Sequence, residues 1–188
     1  DSGNPLWAVA GRRRGSMDAK FLIIGEALVD VVIHPGQEPV DIPGGSPANV
    51  ALGLARLGRD AELHCWIGTD ERGQAVRSHL EASGVRLAPG ADGATRTSTA
   101  QATIGEDRAA TYVFDLDWNP PRPTLPDGQA PLLVHTGSIA AILAPGAATV
   151  EQVLRETRSL LAEAGVSVDH DRPAHLQHAA AAKLHAIA

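Results

Sequence analysis

At 188 residues, with 44% hydrophobic and only 3% aromatic side chains, the chain has a globular composition, and its core must be built from Ala, Val, Leu and Ile. A net charge of −6 argues against nucleic acid as a partner. The single cysteine, Cys65, excludes an intrachain disulfide and suits a reducing cytoplasm, and no apolar run reaches the about 20 residues of a membrane-spanning helix.

Residues 1–16 carry Arg12-Arg13-Arg14 with no apolar run behind them, and read as a disordered leader or cloning-derived segment before Met17. Phe21 to Ile33 opens as a buried strand and holds two acids, Glu26 and Asp30, in an apolar context. His34 to Pro43 is polar and proline-broken. A helix starts near Pro47, with Ser46 as N-cap and Gly58 at its end; Val50, Ala51, Leu54 and Leu57 share a face. Ala61–Ile67 reads as a strand, and Gly73–Ala82 as a helix capped by Asp70 and closed by Gly84. Thr97–Ile104 and Ala109–Phe114 form a hairpin across Gly105–Arg108. Asp117–Gln129 is a proline-rich loop, and Pro131–His135 a short strand. Thr149–Ala164 is the clearest helix, its stripe running through Val150, Val153, Leu154, Thr157, Leu160, Leu161 and Ala164, with Gly165 as its stop. Val166–Val168 starts another strand, and residues 170–188 form a divergent, Ala-rich tail. Strands alternating with helices predict a doubly wound α/β core with a parallel sheet, interrupted by a small β excursion.

The richest segment for chemistry is Gly44-Gly45-Ser46-Pro47-Ala48-Asn49. Gly44-Gly45 alone reads as a tight turn. Ahead of a helix, however, a glycine pair lets backbone N–H groups approach a ligand and can act as a hinge. Asn49, on the first helical turn, offers two donors and an acceptor to hydroxyl groups. Asp30, placed near the end of the first strand, could accept hydrogen bonds from a polyol; the alternative is a solvated strand-end acid. Glu26 is ambiguous. His170, His175 and His178 match no four-ligand spacing, so no metal site is assigned. A phosphate-binding loop of the Gly-x-x-x-x-Gly-Lys type is absent.

Gly44, Gly45, Asn49, Ala51, Gly58 and Gly68 together resemble the N-terminal signature of the ribokinase-like sugar kinases, the PfkB family. Gly25-Glu26-Ala27-Leu28-Val29-Asp30 is similar to the opening of bacterial fructokinases. Gly68-x-Asp70-x-x-Gly73 and His135-Thr136-Gly137-Ser138 are also similar to family segments, and the likeness runs from about Lys20 to Gly165. The resemblance implies a ribokinase-like core over residues 17–169, with a small β lid formed by about 34–43 and 97–114. It implies transfer of the ATP γ-phosphoryl to a sugar hydroxyl with Mg²⁺, fructose being the first candidate and 2-keto-3-deoxygluconate, ribose or a nucleoside the alternatives. Asp30, Gly44, Gly45 and Asn49 would hold the sugar, Tyr112 and Phe114 would cover it, and Arg172 would join them. The lid strands would also be the surface of a homodimer.

The family carries its catalytic base in a Gly-Ala-Gly-Asp motif of the C-terminal half, which these residues do not contain. Its Asp-Pro-Asn-x-Arg segment is present only as Asp169-His170-Asp171-Arg172-Pro173. The expectation is therefore a C-terminally truncated ribokinase-like domain with no catalytic residue of its own and doubtful ATP binding. Its rival reading is an inactive fragment that at most binds sugar or self-associates.

Overall fold

The computed structural model describes residues 20–105, 109–123 and 131–163. In chain order the elements are β1 (Lys20–Ile24), β2 (Leu28–Ile33), β3 (Val40–Gly44), α1 (Ser46–Arg56), β4 (Asp60–His64), α2 (Glu71–Glu81), β5 (Arg86–Leu87), β6 (Thr99–Ile104), β7 (Ala110–Asp115), β8 (Leu133–Thr136) and α3 (Gly146–Glu163). They build two four-stranded sheets. The first is wholly parallel, in the order β5-β4-β1-β8. The second runs β3-β2-β6-β7, with only the β2–β6 pairing parallel.

Alternation along β1 explains why the parallel sheet is covered on both faces. Ile23 joins Leu63, Ala51 and Leu52 in a core beneath α1 and α2. Leu22 and Ile24 point the other way, packing with Val150 and Val153 of α3. Both faces are apolar, as parallel sheets require. The larger core continues beneath the second sheet through Val29 and Val31. Their neighbours on β2, Leu28 and Asp30, consequently face the opposite side.

The Phe21–Ile33 run is two strands in two sheets rather than one. Its apolar character continues past Gly25 because both strands have buried residues. The division falls at Gly25, where a Cβ would stand 2.7 Å from the Gly137 carbonyl and collide with Pro47. Asp30 accordingly lies within β2, opposite Ile42 and Ala100, and not at the carboxyl end of a parallel-sheet strand.

Helix α1 differs from expectation in its cap. Gly45 takes the N-cap position at φ +109°, no side chain caps the first turn, and Ser46 is already helical. The buried face runs through Ala48, Ala51 and Leu52, leaving Leu57 at 77% exposure. Leu57 is the C-cap residue, so it has left the helical period that would have carried it inward.

Helix α2 is capped as expected: Asp70 accepts from the Gly73 N–H at 2.8 Å. The same carboxylate accepts from the Thr97 N–H at 2.9 Å and hydroxyl at 2.5 Å, so it also ties down the chain entering β6. The hairpin β6–β7 forms in the expected antiparallel register. In α3, Val150, Val153 and Thr157 are buried, whereas Leu154 is 37% exposed at the margin of the stripe. Residues 1–16, the 166–168 strand, Arg172 and the 170–188 tail lie outside the described residues.

Candidate functional site

A cleft of about 530 Å³ opens where the second sheet meets the rim of the parallel sheet, a size suited to a small ligand. Each wall comes from a junction between elements. Leu28 and Asp30 stand on β2, Gly45 and Asn49 at the start of α1, Phe114 on β7, and Ser138 just after β8.

The Asp30 carboxylate is half-buried and has no hydrogen-bond partner among the described residues. Burial pushes its pKa above the ordinary carboxylate value, because partial desolvation disfavours the charged form. Room for the carboxylate depends on Gly44, where any Cβ would collide with Asp30 Oδ2. Gly44 thus acts on the site through Asp30. Gly45 is required on two counts: its φ of +109° disfavours L side chains, and a Cβ there would stand 2.5 Å from the Glu26 carbonyl oxygen. The tight approach lets the first turn of α1 open directly onto the cleft. Asn49 is exposed on that turn, and its amide is unpaired among the described residues.

Phe114 lines the cleft, but Tyr112 does not. Tyr112 is 56% exposed and stacks on Phe114, with ring centroids 6.1 Å apart. Its link to the cleft runs through that ring. Arg172 lies outside the described residues.

Sequence reasoning left Glu26 unassigned, yet it lines the cleft at 8% exposure. Unlike Asp30, its carboxylate is saturated. Oε1 accepts from the Ser138 hydroxyl at 2.8 Å, the Ser138 N–H at 3.2 Å and the Ile139 N–H at 3.5 Å; Oε2 accepts from the Ala140 N–H at 3.0 Å. The signal for it was an acid inside an apolar run, which must find partners if buried. Those partners are 112 to 114 residues away.

Among the described residues no group of three His, Cys, Asp or Glu side chains could hold a metal ion. The one thiol, Cys65, is buried and pushed up to about 12 by desolvation, so it is not a nucleophile.

The sequence pattern of the pfkB family carbohydrate kinases matches residues 18–122, more than half of the chain. The chain belongs to this family. It is 30% identical to the fructokinase of Salmonella typhimurium over 148 residues, which cover 76% of this chain and 48% of that protein. It is 33% identical to the Klebsiella pneumoniae fructokinase over 144 residues, covering 71% and 45% of the two chains. The chain thus spans about half the length of the curated relatives it matches. Among solved structures, the Vibrio cholerae O395 fructokinase in its fructose, ADP and calcium ion bound form superposes with a TM-score of 0.57 at 22% identity, over 77% of this chain and 49% of that one. The likeness establishes a shared pfkB-type fold. No described helix is long and apolar enough to cross a membrane.

Proposed function

We propose that this chain carries the sugar-binding part of a pfkB-family kinase that phosphorylates a sugar hydroxyl, with fructose as the acceptor. The observation that supports this most directly is the pairing of two free polar groups across one cleft. Asp30 offers an unpaired carboxylate and Asn49 an unpaired amide, and both line the same space. A carboxylate accepts hydroxyl hydrogens, while an amide both donates and accepts. Together they read the donor and acceptor faces of a polyol. The uncapped first turn of α1 adds backbone N–H groups for a hydroxyl oxygen. Phe114 supplies an apolar wall for the C–H face of the ring, and through it Tyr112 stiffens the covering strand.

These residues bind and orient. The phosphoryl group would come from ATP with Mg²⁺, as in the family. The described residues offer no three-ligand cluster for the ion, so no step is assigned to it here. No acid of the cleft is assigned the role of general base either, because Glu26 is consumed by its four donors and Asp30 is needed for binding. The 188 residues contain no Gly-Ala-Gly-Asp. We therefore infer that these 188 residues bind sugar without turning it over. Arg172 belongs to this reading as a further sugar contact, self-association through the second sheet as its quaternary counterpart, and the cytoplasm as its compartment. Residues 17–169 would form the kinase segment, flanked by the 1–16 and 170–188 segments.

Titration calorimetry of the chain with D-fructose tests the site. Saturable binding is expected, weakened about tenfold or more in Asn49→Ala through lost hydrogen bonds. Equal affinity in the variant and the wild type removes Asn49 from the site. Incubation with ATP, Mg²⁺ and fructose tests the second statement, and any fructose phosphate formed by the purified chain refutes it.

A further inference from the structure

Two carboxylates line the cleft, and they are employed differently. Asp30 is unpaired, whereas Glu26 accepts from four donors of one turn. That turn contributes Ser138 and Ile139 to the cleft wall. The backbone of Glu26 bears on the opposite wall, since its carbonyl oxygen abuts Gly45 at the N-cap of α1. One residue therefore touches both sides of the cleft, by side chain on the β8 side and by backbone on the α1 side. The side chain also has little freedom to move. Behind it, the void between Trp66, Trp118 and Leu143 measures about 10 Å³, about the space of a single water.

We propose that Glu26 is a positioning residue for the sugar site, holding the Ser138–Ile139 wall at a fixed distance from the Gly45–Asn49 wall. This rests on the sugar-binding reading above. Its physical basis is that the wall carries two N–H groups and a hydroxyl within 3.2 Å of the carboxylate. Only an acceptor with two charged oxygens satisfies all of them. In Glu26→Gln one oxygen becomes an NH₂ donor facing N–H donors, with almost no change of volume. The wall loses its tether while the apolar cores are left alone. In Glu26→Asp the charge is kept, but the arm is one methylene too short to reach Ser138 and Ala140 together.

Amide hydrogen exchange and D-fructose titration on the 188-residue chain test the proposal together. In Glu26→Gln, protection of Ile23 and Leu63 in the parallel sheet should match wild type. Exchange at Ser138 and Ala140 should accelerate about tenfold or more, and the fructose Kd should rise by a similar factor. Should Glu26→Gln fail to fold, Glu26→Asp carries the test, with smaller changes in the same two readouts. A purely structural role predicts a lower melting temperature with an unchanged Kd in the folded fraction, and that result overturns the proposal. So does unchanged exchange at Ser138 and Ala140. Wild-type chain that takes up no fructose overturns the site reading, and the proposal with it. Wild-type binding matched by the variant overturns this proposal alone.

Discussion

Gly45→Ala puts the tightest point of the cleft under load. Its cost has two parts that can be separated. The first is conformational: φ +109° lies outside the regions open to alanine, a strain of about 1–3 kcal/mol. The second is steric. The added methyl would stand 2.5 Å from the Glu26 carbonyl oxygen and 3.1 Å from the Ala27 Cα. Neither can retreat freely, because Glu26 is held by the 138–140 turn. Overpacking against such backbone costs about 1–3 kcal/mol more. The sum is about 2–6 kcal/mol, a large share of the about 5–15 kcal/mol of a typical domain. Gly36→Ala is the matched control. Its φ is +69° and no atom lies within 4 Å of its added methyl, so only the left-handed penalty of about 1–2 kcal/mol applies. Urea unfolding followed by tryptophan fluorescence compares them, with Trp118 as a buried reporter. A Gly45→Ala destabilisation within about 0.5 kcal/mol of that of Gly36→Ala would refute the close approach.

Three further outcomes are expected. Asp30→Asn should weaken fructose binding about 10–100-fold yet raise stability at pH 7. The raised pKa means that the folded state binds its proton more tightly than the unfolded state. Stability therefore falls as pH rises from the ordinary value of 3.8 towards the folded value, and the variant escapes that loss; a variant less stable than wild type at pH 7 contradicts the argument. Asp70→Ala should cost about 2–4 kcal/mol in chemical denaturation, combining a lost helix cap with a buried, unpaired Thr97 N–H. Desolvation raises the Asp70 pKa, but hydrogen bonds from Thr97 and Gly73 outweigh it and leave it lowered; its stabilisation is present above the ordinary 3.8 and lost as pH falls through the folded value, so the variant's deficit should shrink as pH falls below 3.8. Cys65 should resist thiol reagents in the folded chain and react only on unfolding, since it is 0% exposed and its pKa is about 12 against an ordinary 9.0. The same shift makes the folded state lose stability between pH 9 and 12, and rapid labelling at pH 8 in native buffer would contradict it.

The three helices and the hairpin were legible in the sequence because their determinants are local. Asp70 caps within its own turn, Gly58 follows the last turn of α1, and Val150 and Val153 keep a 3.6-residue period. What escaped is information carried between distant segments. The break at Gly25 exists because Pro47 and Gly137 come up against it, and no feature within Phe21–Ile33 reveals them. Asp30 was read as a strand-end candidate for ligand binding; it does line the cleft, but from the second sheet, for this reason. Gly44, Gly45 and Asn49 were singled out by their order along the chain, which survives any error in topology, and Gly45 and Asn49 do line the cleft. Tyr112 and Phe114 share a strand face, so sequence could not tell which one reaches the cleft. The 6.1 Å stack makes one the support of the other.

The contrast between Glu26 and Asp30 also explains how a cleft can be rigid and receptive at once. An unpaired, half-buried carboxylate is unfavourable in the absence of a ligand, and its desolvation is what raises the Asp30 pKa. Such a group persists only where the surroundings hold it in place. Here the holding is done at the junctions. Glu26 fixes the β1–β2 crossing to the turn after β8, and Asp70 with Thr97 fixes the entry to β6. The Ser98 hydroxyl binds the Asp117 N–H at 2.9 Å, closing the base of the hairpin that carries Phe114. Each of these polar ties sits where the chain passes between the parallel sheet and the second sheet or their connecting loops. With the junctions tied, Asp30 and Asn49 keep free polar groups facing the cleft, and on the sugar-binding reading a polyol satisfies both.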